Sequence, residues 1–145
     1  MFEITVAPWL PWALLSAAFA ALTAIFAKIG VEDINSDLAT FIRTVVILAV
    51  VAAILAARKS FQPLDSITGR SWLFLGLSGF ATGASWLCYF RALQLGEASR
   101  VAPVDKLSVV LVALLGAVLL GETLALHTWA GVLLITGGVI LVAWN

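Results

Sequence analysis

Trp86-Leu-Cys-Tyr-Phe-Arg91-Ala-Leu-Gln-Leu-Gly96-Glu-Ala-Ser-Arg100-Val-Ala-Pro-Val-Asp105-Lys106-Leu-Ser108 is the stretch on which the reading of this chain turns. It closes one apolar run with aromatic and charged residues and breaks at Gly96. The next apolar run then opens with an acid and a base already inside it. A charge at the middle of a bilayer costs roughly 2.5 to 3.5 kcal/mol, and less near the headgroups, so such residues face a partner or a wet cavity. Asp105 and Lys106 are adjacent and project about 100° apart on a helix, so at least one of them points into a bundle.

The surroundings of that stretch are those of a membrane protein. With 63% hydrophobic and 11% charged residues, a chain of 145 residues carries more apolar surface than a soluble core of that size can hide. A net charge of zero gives no reason to expect a nucleic-acid partner. The first residues, Met1-Phe-Glu-Ile-Thr5, lack the basic start of a signal peptide, so the first apolar run is expected to stay in place. His127 and Cys88, without other clustered ligands, offer no metal site. No phosphate loop, nucleophile elbow or pair of catalytic acids points to an enzyme or a cofactor.

Outward from residues 86–108, the pattern divides into five transmembrane helices at about 9–29, 38–57, 72–95, 101–121 and 126–144. Pro8, Trp9, Pro11 and Trp12 suit a helix start among headgroups. Alanines 13, 17, 21 and 24 then form a small-residue stripe that ends one turn before Lys28, which reads either as a snorkelling lysine or as a ligand for an anionic solute. The loop after Gly30 contains Glu32, Asp33, Asn35 and Ser36, and its serine or an aspartate is expected to cap the second helix. Arg43 lies about 7 Å inside that helix, where its planar fork suits a carboxylate, either a structural partner or a solute.

Arg58, Lys59 and Arg70 mark the longest hydrophilic connection. Gly76, Gly79 and Gly83 share a face of the third helix, and one turn on Trp86 and Tyr89 stand beside Arg91, a wall on which a flat or cationic solute can stack. From Leu107 to Gly121 the fourth run is about 22 Å, too short to cross alone. Counting back to Ala102 puts Asp105, Lys106 and the neighbouring Ser108 below the headgroups, with Pro103 in the first turn.

Taken together, Phe26-Ala-Lys28-Ile-Gly30, Arg43, Tyr89-Phe-Arg-Ala-Leu93, Ala98-Ser99, Ala102-Pro103, Leu120-Gly121-Glu122, Trp129-Ala-Gly131 and Gly137-Gly-Val-Ile-Leu-Val142 resemble one EamA domain, the repeat unit of the drug/metabolite transporter superfamily. The chain departs from many members in having Val109 where they carry a proline, and in the charges of Asp105-Lys106. Those charges resemble the five-helix branch of the superfamily. The resemblance implies half of a ten-helix architecture in which two such domains of opposite topology flank the solute.

By the same resemblance, the chain is expected to be an inner (plasma) membrane, multi-pass secondary transporter of small metabolites or drugs. It would act as an antiparallel homodimer, or with a related five-helix partner, and alternate access around a central cavity. Loop cations permit dual topology: Arg58, Lys59 and Arg70 stand against Lys28 and Arg100, or against five once Arg43, Arg91 and Lys106 are added. The residues expected along the substrate path or in coupling are Asp105, Lys106, Arg43, Arg91, Trp86, Tyr89, Lys28 and Ser108. Asp105 is the expected proton-coupling acid. The alternative is a non-transporting membrane assembly subunit, in which the same charges and small-residue stripes only hold helices together.

Overall fold

A computed structural model describes residues 7–144; the expectation about the first five residues lies outside them. All the secondary structure described is helical: α1 (Leu10–Gly30), α2 (Ser36–Ala57), a short 3-10 turn (Leu64–Ser66), α3 (Gly69–Leu95), α4 (Ala98–Asp105), α5 (Ser108–Leu119) and α6 (Leu126–Ala143). Five stretches are long and apolar enough to cross a membrane, with α4 and α5 together forming the fourth, Ala98–Leu119. The protein is therefore an all-α, five-span membrane protein. Contacts group the chain into two units whose boundaries fall within α1 and at Gly96: residues 26–95, and α1 up to Ile25 together with everything from Gly96 onward.

In the unit of residues 26–95, α2 and α3 pack on each other. Asn35 caps α2, in place of the serine or aspartate expected, because its side-chain oxygen accepts from the backbone N–H groups of Asp37 at 2.8 Å and Leu38 at 3.2 Å. Ser36 is thereby the first helical residue. It is buried with Ala39 and Thr40. On α3 the buried residues are Phe90 and Leu93, near its C-terminal end.

Helix α2 ends in a left-handed residue that is not glycine: Lys59 has φ of 52°. The Lys59 N–H donates to Ala56 O at 3.1 Å and the Ser60 N–H to Leu55 O at 3.0 Å, the two bonds of a Schellman ending. Helix α3 starts at Gly69, three residues before the expected 72, because the Thr68 hydroxyl accepts from the Ser71 N–H at 3.2 Å. Arg70 thus lies in a helical turn rather than in the loop. At 27 residues, α3 is about 40 Å long and exceeds the hydrocarbon thickness.

In the other unit, α6 packs on both α4 and α5, and Val132 and Val139, two turns apart, are its buried residues. The fourth span departs from one helix over 101–121. It begins at Ala98, so that Pro103 is an interior residue rather than a first-turn one, and α4 stops at Asp105. A proline there has no N–H for the carbonyl four residues back. The chain then passes through three-residue hydrogen bonds, Lys106 N–H to Pro103 O and Leu107 N–H to Val104 O, each 3.0 Å, and α5 opens at Ser108 with another, Val109 N–H to Lys106 O at 3.0 Å. The span is broken without a proline at 109.

Gly121, with φ of 69°, ends the same span. Leu120 N–H donates to Gly116 O at 3.1 Å as in any helical turn, and the left-handed Gly121 brings the Glu122 N–H to the same carbonyl at 3.1 Å. The Glu122 carboxylate folds back over Gly116, so near that a Cβ placed on this glycine would be 2.7 Å from Oε2.

Candidate functional site

The polar face of α2 is built at helical spacing. Ser36, Thr40, Arg43 and Thr44 follow one another closely enough in helical register to line one side of the helix. The hydroxyls do not stay unsatisfied in an apolar setting: Thr40 Oγ1 donates to Ser36 O at 2.9 Å and Thr44 Oγ1 to Thr40 O at 2.8 Å. Arg43 lies between them, about 10 Å past Ser36 along the helix axis.

Its guanidinium sits over aromatic residues of α3. Arg43 Cζ is 3.3 Å from the centroid of the Trp86 ring and 5.9 Å from that of Phe90. Trp86 in turn meets Tyr89 edge-on, with centroids 5.4 Å apart and planes at 78°, and Phe90 at 5.7 Å and 62°. The three aromatic residues can gather because 86, 89 and 90 stand three and four apart on one helix face. A cation on an indole face gains about 0.5 to 1 kcal/mol when exposed and about 2 or more when desolvated. That offsets part of the roughly 2.5 to 3.5 kcal/mol a guanidinium costs at the membrane centre, and leaves its N–H groups to be satisfied by something else.

At the end of α3 two side chains hold the chain rather than stand open. Lys28 Nζ donates to Leu93 O at 2.8 Å, one of the carbonyls that a helix end leaves without an intrahelical partner. Gln94 Nε2 donates to Ile34 O at 2.8 Å and Val31 O at 3.4 Å, while its Oε1 accepts from Arg91 at 2.9 Å. The loop between α1 and α2 is thereby fastened to the end of α3, and its own Val31 and the Leu93 of α3 are fully buried. Sequence reasoning does not single out Gln94. An uncharged polar residue near a helix end reads as interfacial, and only its reach to a loop distant in the chain reveals its task.

In the other unit, Asp105 and Lys106 pair with each other at 3.1 Å. Neighbours on a regular helix do not face one another; these two stand where α4 gives way to three-residue hydrogen bonds. Ser108, exposed, starts α5 just beyond them. Glu97 and Arg100 form a solvent-type pair at 3.5 Å. Of the path residues expected from the sequence, Arg43, Trp86 and Tyr89 are thus brought together, Lys28 and Arg91 serve the end of α3, and Asp105, Lys106 and Ser108 gather at the break of the fourth span.

The sequence profile of the EamA-like transporter family matches residues 7–144. Over 135 residues the chain is 65% identical to a Sinorhizobium sp protein described as an uncharacterized transporter in the cobO 3' region, covering 93% of this chain and 96% of that one. No solved structure matches it significantly.

Proposed function

The chain belongs to the EamA-like transporter family, and from that premise we propose that it moves small organic solutes across the inner (plasma) membrane as an antiparallel pair of copies. One observation carries the reading: a guanidinium within a membrane span, stacked on an aromatic wall, with donors in excess of what its face contact uses. A charge of that kind is held in lipid where water or a solute meets it.

Two copies of opposite orientation supply the two-fold axis in the membrane plane about which solute sites form in transporters built from inverted repeats. The exposed glycines 76, 79 and 83 of α3 allow another helix to approach closely. Arg43, Trp86 and Tyr89 contact the solute. Asp105 takes up and releases the coupling proton, with Lys106, 3.1 Å away, as its charged partner and Ser108 as a neutral polar neighbour. Lys28 and Arg91 act on the shape of α3 instead of on the solute.

Proteoliposomes provide the test. Asp105→Asn is expected to abolish uptake driven by a pH gradient and to preserve exchange of solute across the same membrane. Loss of both in a folded variant removes Asp105 from coupling specifically. If the wild-type protein carries no solute from a broad panel, the reading as a membrane assembly subunit takes over.

A further inference from the structure

We infer that Arg43 is an anchor for the carboxylate of the transported solute, which makes that solute an organic anion with a small aromatic or apolar body. The inference rests on the transport reading and narrows it. A guanidinium has one plane, five donors within that plane, and no acceptor. With Cζ only 3.3 Å from the Trp86 centroid there is no room for an N–H to point at the ring, so the guanidinium plane lies along it, one face is covered and the edge is left.

The groups nearest along α2 do not supply a negative partner for that edge: Thr40 and Thr44 are neutral and donate to backbone carbonyls. Among the described residues of this unit, the acids Glu32, Asp33, Asp37 and Asp65 form no ion pair with Arg43. A carboxylate coplanar with the fork accepts two parallel N–H bonds, the arrangement for which arginine is suited and lysine is not.

The same geometry argues against the cationic solute that an aromatic wall alone invites. The Trp86 face turned to α2 already holds a cation, and a second positive charge beside Arg43 would be repelled. Lys28, the other residue expected to meet an anion, donates to Leu93 O at the end of α3. Tyr89 and Phe90, edge-on to Trp86 at 5.4 and 5.7 Å, provide an apolar flank for the body of a solute whose acid group lies on the arginine.

The test uses the purified full chain in phosphatidylcholine nanodiscs and proteoliposomes. The probes are benzoate, phenylacetate and indole-3-acetate, each beside its uncharged amide and its amine counterpart. Thermal stabilisation reads binding, since a ligand of the native state raises its stability by mass action. At least one acid is expected to stabilise the protein while its amide and amine do not. Arg43→Gln should weaken that acid by about 10- to 100-fold, the loss of a charged hydrogen-bonded contact. Arg43→Lys, which keeps the charge without the fork, should fall between the two, and it serves as the folding-competent variant if Arg43→Gln does not fold.

Stabilisation by amides or amines equal to that by acids overturns the inference, as does silence from all the probes or an unchanged acid affinity in a folded Arg43 variant. Uptake separates this from the broader reading. Amines carried into vesicles with Arg43→Gln unaffected would sink the anion anchor and keep transport. Acids that bind through Arg43 but never cross would keep the anchor and sink transport.

Discussion

Glycine 116 and glycine 121 lie close together in the chain and do opposite work. At Gly116 the obstacle to a side chain is the end of the flexible, exposed Glu122 carboxylate, 2.7 Å from where a Cβ would sit. Alanine is worth about 1 kcal/mol over glycine inside a helix. Gly116→Ala should therefore leave stability unchanged or raise it by up to about 1 kcal/mol, as Glu122 swings aside. Gly121 has open space around it but a φ of 69°, so Gly121→Ala should cost about 1 to 2 kcal/mol. Unfolding in mixed micelles followed by circular dichroism measures both. At this scale the sequence makes Arg43, Trp86 and Tyr89 conspicuous, because a cation and large rings interrupt small apolar residues. It does not pair them: which ring lies under the guanidinium depends on how α2 and α3 register, a relation that neither helix encodes alone.

Helices α2 and α3 begin where a side chain satisfies their first N–H groups, and the far end of α2 carries testable strain. Lys59 holds the left-handed position that closes α2, exposed and without a hydrogen-bonding reason to be lysine. Lys59→Gly is expected to stabilise the protein by about 1 kcal/mol, less the extra freedom glycine has when unfolded; equilibrium unfolding in micelles checks the sign. The break between α4 and α5 gives a second case. Removing Asp105 alone leaves Lys106 uncompensated, so Asp105→Ala should cost more than Asp105→Ala with Lys106→Ala together. A coupling of about 0.5 to 3 kcal/mol in a double-mutant cycle is expected, and a value near zero would make the 3.1 Å pair incidental. The five spans are legible because long charge-free runs admit few alternatives. The break is not: Pro103 reads as a first-turn proline if the helix starts at Ala102, and the earlier start at Ala98 turns it into an interior one.

For the molecule as a whole, the decisive property is how copies insert. In a Cys88→Ser background, single cysteines at Asp33 and at Ser60 lie in successive loops on opposite sides of the membrane. If copies insert both ways, an impermeant maleimide should label about half of each population from outside intact cells, the direct expression of weak loop-charge bias. Full labelling at one position with none at the other removes the antiparallel pair and leaves a related partner of fixed orientation to complete the assembly. Five crossings also set a parity. A chain that enters on one face of the bilayer leaves on the other, so a second coding unit appended head-to-tail through a short hydrophilic tether would thread upside down of its own accord. Such a concatemer needs no added anchor to lock the inverted arrangement covalently.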